Sequence, residues 1–361
     1  MDNIWSRVSF KWLKAHTTNY ALLCVVLMFI SACSPAPKRT EFLLKTGHPG
    51  SVTSVSYSAD GRFIASGGTD NAVKIWDAET GALQHTLTGH SGSVKNVCFS
   101  GDGRFIASGS YDNTVKIWDA ATGNLIRTLN GHTDTVRSVG YSADGRFIAS
   151  GSEDKTVKIW DAATGNLIRT LAGHLRGVRS VSYNSDGRVI ASGSWDKTVK
   201  LWDAGSGALL RTLDGHKSIV SSVSYSGDGR FIASGSFDKT VKIRDAVNGG
   251  LLRTLTGHTG SVSSVSYSGD GRFIASGGFD KTVKQWDAGN GSLLRTLAGH
   301  SGVVTSVSYS RDGRFIASGS LDNTVKIWDA GNGNLIRTLA GHSEEATHSE
   351  PNTDVQPDSG E

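Results

Sequence analysis

The fold is decided by residues 131–172, GHTDTVRSVGYSADGRFIASGSEDKTVKIWDAATGNLIRTLA, because nearly the same 42 residues follow one another along most of the chain. A Gly-His pair opens each of the seven copies and recurs after the last one, and a Trp-Asp pair comes near the end of every copy except the fifth, which has Arg244-Asp245. The histidines of these pairs are His48, His90, His132, His174, His216, His258, His300 and His342. A constant period of this length predicts one small structural unit that stacks on copies of itself.

The turn residues within one copy divide it into four short predicted strands. In the third copy, residues 136–142 are rich in β-branched and aromatic side chains, and the Asp-Gly pair that follows is typical of a tight hairpin turn. A second strand is expected at 146–151. The polar corner after it leads to a third strand at 156–161, and a turn rich in Thr, Gly and Asn leads to a fourth at 167–171. The unit therefore reads as a four-stranded antiparallel meander.

Both faces of such a sheet carry apolar side chains, since Val157 and Ile159 lie on one side of their strand and Trp160 on the other. A single unit cannot bury both faces, so neighbouring copies must cover them. The order of Gly-His, Asp-Gly, a Ser-Gly-Ser-x-Asp corner and Trp-Asp resembles the WD-repeat family over about residues 41–342. The resemblance implies an all-β fold, a seven-bladed β-propeller of four-stranded antiparallel blades.

The resemblance also implies that a hydrogen-bonded quartet locks each blade, formed in the third copy by His132, Ser150, Asp154 and Trp160. Taken alone, these residues could be read as a nucleophilic triad or as metal ligands. Because the same His, Ser and Asp recur in every copy, a structural role is the better interpretation. We therefore predict no catalytic site, no metal and no cofactor.

The first 32 residues read as a lipoprotein signal peptide. Three basic residues precede an apolar run at 21–30, which is too short to span a bilayer as a helix. The sequence Ile-Ser-Ala-Cys that ends at Cys33 resembles the lipobox of bacterial lipoproteins, which implies acylation of Cys33. Residues 33–40 would then be a tether. A short uncleaved anchor with an incidental cysteine is the alternative.

The residues that flank the repeats set the expected location. With serine after Cys33, the resemblance favours the outer membrane of a bacterial cell envelope, with the propeller facing the periplasm. If the leader is not exported, the protein would be a cytoplasmic scaffold. Residues 343–361 contain six acidic residues and neither Lys nor Arg, so we expect a disordered acidic tail. The formal net charge of +4 is too balanced to suggest nucleic acid binding.

Functional information is expected where the copies differ, and two positions vary most. The residue before the corner aspartate is Thr69, Tyr111, Glu153, Trp195, Phe237, Phe279 or Leu321. The fifth residue after the Gly-His pair is Thr53, Lys95, Arg137, Arg179, Ser221, Ser263 or Thr305. In the family, the corner position lies on the face where partners usually dock.

These two positions bring aromatic and cationic residues together, which is the usual composition of an interface centre. The predicted partner-binding residues are Lys95, Tyr111, Arg137, Glu153, Arg179, Trp195, Phe237 and Phe279. We expect a monomeric ring that is a non-catalytic scaffold for a protein partner with an acidic segment, with an exposed Trp195 as the anchor. Two alternatives stay open: drift at exposed loop positions, and a small-ligand or carbohydrate-binding, or hydrolytic, propeller that uses its central channel.

Further expectations concern single positions. The arginines after Asp-Gly, such as Arg62, read as solvated turn residues, and those of the fourth strands, such as Arg169, as protection of an edge. Arg244 replaces the repeated Trp in blade five, which should therefore be the loosest blade. Cys98 reads as a small buried strand residue. Residues 335–339 should pair within their own blade, which leaves 42–46 as an extra edge or part of the tether.

Overall fold

The computed structural model describes residues 47–340, which form seven four-stranded antiparallel sheets arranged as a seven-bladed β-propeller. Blade one contains β1 (Val52–Tyr57), β2 (Phe63–Gly68), β3 (Val73–Asp77) and β4 (Leu83–Leu87). Blade two contains β5 (Val94–Phe99), β6 (Phe105–Ser110), β7 (Val115–Asp119) and β8 (Leu125–Leu129). Blade three contains β9 (Val136–Tyr141), β10 (Phe147–Ser152), β11 (Thr156–Asp161) and β12 (Leu167–Ala172).

The remaining blades repeat this order of strands. Blade four contains β13 (Val178–Tyr183), β14 (Val189–Ser194), β15 (Val199–Asp203) and β16 (Leu209–Leu213). Blade five contains β17 (Val220–Tyr225), β18 (Phe231–Ser236), β19 (Thr240–Asp245) and β20 (Leu251–Thr256). Blade six contains β21 (Val262–Tyr267), β22 (Phe273–Gly278), β23 (Thr282–Asp287) and β24 (Leu293–Ala298). Blade seven contains β25 (Val304–Tyr309), β26 (Phe315–Ser320), β27 (Val325–Asp329) and β28 (Leu335–Leu339).

The fold class predicted from the repeat is confirmed. The observed strands of blade three agree with the expected ones to within one residue. Gly145 has a φ of 72°, the left-handed conformation that a tight hairpin needs and that glycine adopts without steric cost. Lys155, in the corner between β10 and β11, has a φ of 72° as well, although a side chain makes that conformation less favourable. Turn chemistry thus sets where each strand ends.

The hydrophobic core is divided among the spaces between neighbouring blades. One cluster joins Val157 and Leu171 of blade three to Val178, Ile190 and Trp202 of blade four. All of these side chains are almost completely buried. Each sheet is therefore stable only with a neighbour on both faces, as the apolar faces of the repeat predicted.

The ring closes between blade seven and blade one. The core cluster at this junction joins Val52 and Trp76 to Val325 and Leu339. Strand β28 pairs with β27, so the outermost strand of blade seven belongs to its own blade, and that prediction is confirmed. Residues 42–46, for which an extra edge or a tether was expected, lie outside the described residues.

Hydrogen bonds between the innermost strands also hold the ring together. The hydroxyl of Ser138 in blade three accepts a bond of 3.0 Å from the backbone N–H of Val181 in blade four. The same bond links Ser306 of blade seven to Val55 of blade one, at 3.1 Å. Equivalent bonds occur at the other junctions. The central channel is therefore surrounded by polar side chains that hold its wall in register.

Candidate functional site

The quartet of blade three is a continuous hydrogen-bonded network. His132 places Nε2 2.7 Å from the hydroxyl of Ser150 and Nδ1 2.6 Å from the carboxylate of Asp154. The indole Nε1 of Trp160 donates to the same hydroxyl at 2.7 Å. Asp154 also accepts bonds from the backbone N–H and the hydroxyl of Thr156, at 2.9 and 2.6 Å. These side chains satisfy one another's polar atoms, which buried groups require.

The same three side-chain contacts recur in blades one, two, four, six and seven. Burial raises the pKa of the Asp154 carboxyl, but hydrogen bonds from His132 and Thr156 outweigh it and hold that pKa well below its usual range. Burial lowers the pKa of the His90 imidazole, which Asp112 only partly opposes. The hydrogen bonds within each quartet occupy the polar atoms of its side chains, which supports a structural role.

Blade five departs from this pattern because Arg244 stands where the other blades have tryptophan. Its guanidinium donates to the carbonyls of Gly249, at 3.1 Å, and Asp214. His216 still contacts Ser234 and Asp238, each at 2.8 Å. The cluster between blades four and five contains no tryptophan, whereas each of the other six described clusters contains one. The expectation that this blade is the loosest stays a prediction.

The second variable position lines one mouth of the central channel. A cavity of about 270 Å³ lies there. Its wall includes Lys95, Arg137 and Arg179 from blades two to four, and Phe279 and Leu321 from the corners of blades six and seven. The structure therefore brings the two variable positions to one surface, here called the channel mouth and defined by these residues together with Tyr111, Glu153, Trp195 and Phe237.

Cations and aromatic rings alternate around this mouth. Lys95 Nζ lies 5.5 Å from the ring centroid of Tyr111. The guanidinium carbons of Arg137 and Arg179 lie 5.9 and 6.0 Å from the ring of Trp195. Arg179 is also 5.7 Å from the ring of Phe237. Cation–π contacts of this length are attractive, so neighbouring blades hold the cations in place.

The cations are crowded, and they share one nearby carboxylate. Arg137 Nε donates to Glu153 at 2.6 Å, and a second nitrogen of Arg137 binds the same oxygen. Burial, with help from Arg137, lowers the pKa of Arg179 to about 10, while Glu153 opposes that shift. Burial and the positive charges of Arg137 and Arg179 likewise lower the pKa of Lys95. Three cationic side chains beside one carboxylate make this part of the mouth positive.

The expected exposure of the aromatic residues is wrong in part. Tyr111 is 62% exposed and Phe279 47% exposed, but Trp195 and Phe237 are half-buried. The ring of Trp195 packs against Arg137 and Arg179, which belong to two neighbouring blades. The ring of Phe237 packs against Arg179 and against the ring of Phe279. The rings of Phe237 and Phe279 are 5.4 Å apart with an edge-to-face geometry. Trp195 therefore positions Arg137 and Arg179 in addition to offering a surface.

In the other four blades, the same mouth position carries a hydroxyl that joins two blades. Thr53 Oγ1 contacts the carbonyl of Gly67 at 2.9 Å and that of Val94 in the next blade at 2.5 Å. The corresponding hydroxyls are those of Ser221, Ser263 and Thr305. Within residues 47–340, the side chains of Lys95, Arg137 and Arg179 make no such bond. The sequence did not predict these inter-blade bonds, because periodicity does not reveal which side chains of a copy reach the next blade.

The arginines away from the mouth have local partners. Arg62 stacks over the ring of Phe63, with 5.4 Å between its guanidinium carbon and the ring centroid, and it lies at the opposite end of β2 from the corner. Reading the arginines of the fourth strands as edge protection alone is incomplete. Arg211 donates to the carbonyl of Val247, and Arg337 to that of Thr80, each at 2.8 Å. These side chains are long enough to cross to the next blade and join its turn.

The remaining predictions concern Cys98, metal binding, membrane attachment and the C-terminal tail. Cys98 is partly buried in β5, and burial raises the pKa of its thiol. Among residues 47–340, no cluster of three or more His, Cys, Asp and Glu side chains could hold a metal ion. No helix in the same range is long and apolar enough to cross a membrane. Cys33 and the tail at 343–361 lie outside the part of the chain that the structure describes.

Comparisons with known proteins agree with this architecture. The family described as "WD domain, G-beta repeat" matches residues 41–77, 81–119, 123–161, 165–203, 207–245, 249–287 and 291–329. A 40-residue stretch is 50% identical to the ribosome biogenesis protein BOP1 homolog of Arabidopsis thaliana, and it covers 11% of this chain and 5% of that protein. So short a match to a much longer protein says nothing of a shared activity. The seven matches extend over most of the chain, and the protein belongs to the WD40 repeat family.

Proposed function

We propose that this protein is a non-catalytic scaffold whose channel mouth binds an acidic or phosphate-bearing segment of a protein partner. WD40 propellers commonly act as scaffolds for protein interactions. The mouth combines three cations with aromatic rings, and this composition favours a negatively charged partner.

One observation carries the proposal: the three cations replace hydroxyls that join adjacent blades elsewhere in the ring. A side-chain hydrogen bond contributes about 1 kcal/mol to stability, so Lys95, Arg137 and Arg179 each give up a stabilising contact. They also bring like charges together. Drift at exposed positions does not explain why three neighbouring blades all lack this inter-blade bond and all carry a positive charge instead. Selection for binding an anion does.

The channel-based alternative is less well supported. The described residues that line the cavity provide hydroxyl, amide, cationic and apolar side chains. A hydrolytic site in a propeller would need carboxylates or histidines placed around the channel. Glu153 stands at the mouth, but Arg137 pairs with it. The contacts therefore favour docking over hydrolysis.

Membrane attachment is a separate part of the proposal. We propose that Cys33 is acylated and anchors the propeller to the outer membrane of a bacterial envelope, on its periplasmic side. The support is the sequence of residues 1–33. Buried acyl chains supply the membrane affinity, at about 0.8 kcal/mol per CH₂ group. Cys33→Ser should abolish labelling with a palmitate analogue, and equal labelling of the variant and the wild type would refute the anchor.

The docking proposal can be tested by capture of partners from detergent-solubilised envelope membranes. Trp195→Ala should weaken capture of the main partner by about 2 kcal/mol, roughly 30-fold, because it removes a central ring and releases two arginines. Arg137→Ala should weaken capture most at low salt.

Neutralising the arginines of the opposite face provides the matched control. The triple variant Arg62→Gln, Arg104→Gln and Arg146→Gln removes three cations from the turns at the other end of the blades and should leave capture unchanged. If this triple variant loses the partner while Trp195→Ala retains it, the opposite face is the binding surface and the proposal is wrong.

A further inference from the structure

The channel mouth has two halves with different chemistry. Lys95, Arg137 and Arg179 form its cationic half, over blades two to four. Phe279, Val303 and Leu321 form its apolar half, over blades six and seven. Because all six line one cavity of about 270 Å³, a ligand that enters the mouth contacts both halves. Phe237 lies between the halves, 5.7 Å from the guanidinium of Arg179 and 5.4 Å from the ring of Phe279.

The cationic half has donors to offer an anion. It carries three positive charges and one carboxylate, that of Glu153, which binds Arg137. Arg179 contacts aromatic rings and has no carboxylate of its own among the described residues. The hydroxyls of Ser138 and Ser180 line the same cavity, and each accepts a backbone N–H from the next blade. A hydroxyl that accepts in this way can still donate its own hydrogen.

The apolar half differs in charge, because the described residues that line it include no cation, whereas its Ser264 and Ser306 accept a backbone N–H from the next blade as Ser138 and Ser180 do. The hydroxyls of Ser263 and Thr305 are directed at backbone carbonyls on both sides of a blade junction, so their hydrogens are already engaged. Above them, Phe279 is 47% and Leu321 48% exposed. Exposed large apolar side chains with no cation beside them among the described lining residues favour contact with apolar groups over contact with an anion.

We infer that the mouth is bipartite and recognises a segment that carries an anionic side chain close to apolar ones. The anion, a carboxylate or a phosphate, lies against Arg137 and Arg179, and the apolar side chains lie against Phe279 and Leu321. The inference rests on the proposed function and adds to it the combination of chemical groups in the partner.

Binding of synthetic peptides to the full chain tests this arrangement. The mixed peptide carries two aspartates followed by two leucines in a Gly-Ser background. One companion replaces the leucines with serine, a second replaces the aspartates with asparagine, and a third carries phosphoserine in place of the aspartates. Fluorescence anisotropy should show the mixed peptide bound at least 10-fold more tightly than either companion that lacks one half. The phosphoserine peptide distinguishes phosphate from carboxylate as the preferred anion.

Variants assign each half of the peptide to its half of the mouth. Phe279→Ser should remove the preference for the mixed peptide over the leucine-free one and leave the salt dependence unchanged. Arg179→Ser should remove the preference for aspartate over asparagine. Leu175→Ser is the matched control, because Leu175 is 80% exposed, lies in the loop after a Gly-His pair and does not line the cavity. It should change neither preference.

The possible failures are distinguishable. If the mixed and leucine-free peptides bind equally and Phe279→Ser has no effect, the bipartite arrangement is wrong while the anion-binding scaffold stands. If neither the aspartate nor the phosphoserine peptide binds more tightly than the asparagine peptide, the proposed function fails together with the inference.

Discussion

The buried quartet and the channel mouth are two places where polar side chains from different strands meet, and they differ in how far the copies agree. In the quartet, six of the seven blades keep the same four hydrogen-bonded side chains. At the mouth, the same strand position carries Lys, Arg, Ser or Thr. The backbone of the blades is the same in both regions, so the difference lies in how many buried polar atoms depend on each side chain for a hydrogen bond.

Each polar atom of the quartet depends on another. Ser150 receives the indole N–H of Trp160 and contacts His132, and removal of its hydroxyl would leave both groups buried without a partner. At the mouth, a replaced hydroxyl loses its contacts with two backbone carbonyls, but the side chain that replaces it lines an open cavity. The interior therefore tolerates few changes, whereas the mouth can exchange some stability for binding.

Acid should produce the largest effect, because it acts on several quartets at once. Burial lowers the pKa of His90, His216 and His258, so the unfolded chain binds protons at these residues at a higher pH than the folded one. Stability is then fully present above about pH 6.5 and decreases as the pH falls below it. Hydrogen bonds from Thr240 and Lys217, acting against burial, lower the pKa of Asp238 to about 2, which adds a further loss below about pH 4.

Urea denaturation followed by circular dichroism between pH 8 and pH 3 measures this dependence. The free energy of unfolding should be flat above pH 7 and should fall steadily below it. A free energy that is constant from pH 7 to pH 5 would show that the imidazoles do not titrate differently on folding.

Ser150→Ala should lower the free energy of unfolding by about 2–3 kcal/mol, because the indole of Trp160 and the imidazole of His132 both lose a buried partner. Urea denaturation gives the size of the loss, and peptide binding at the mouth should not change. Ser185→Ala is the matched control, since Ser185 is exposed in the β13–β14 turn, and it should stay within about 0.5 kcal/mol of the wild type. A loss below 1 kcal/mol for Ser150→Ala would mean that the quartet does not act as a unit.

The sequence predicted the fold because period, turn residues and strand patterns all point to the same unit. Strand positions, the seven blades and the pairing of β28 within its own blade followed from these local signals. The sequence also identified the two variable positions of the mouth. The fold and the two variable positions both depend on the spacing of residues within one copy, and comparison of the copies reveals that spacing.

Contacts between copies were harder to predict. The half-burial of Trp195 and the reach of Arg337 to blade one depend on how closely the blades converge, which spacing does not give. Gln285 was missed as well. It stands where five of the other copies have isoleucine, and its side chain binds the hydroxyl of Tyr309 at 3.1 Å and the guanidinium of Arg295 at 2.8 Å. A buried glutamine among isoleucines was the signal that could have revealed this network.

Arg244→Trp should raise the free energy of unfolding by about 1 kcal/mol, since it restores to blade five the indole that binds the quartet serine in the other blades. The gain is limited because the arginine loses its bonds to two carbonyls. Gly215, with a φ of 113° where the equivalent Gly257 has 156°, must also shift to receive the ring. Thermal unfolding and hydrogen exchange of β19 measure the gain.

The reverse change in an intact blade is the control for blade five. Trp202→Arg in blade four should destabilise the ring and increase hydrogen exchange there. If Arg244→Trp brings no gain and exchange is equal in all blades, blade five is not the loosest and the expectation is wrong.

Lys95→Thr should give the smallest effect, a gain of about 0.5–1 kcal/mol in the free energy of unfolding. The new hydroxyl can join the carbonyls of Gly109 and Val136, as Thr53 joins those of Gly67 and Val94. Loss of a cation beside Arg137 adds to the gain, while peptides with aspartate should bind more weakly. Thr53→Lys, the reverse change in blade one, should lower stability by a similar amount. If Lys95→Thr leaves the stability unchanged and weakens binding, the mouth cations were placed without any cost to the ring.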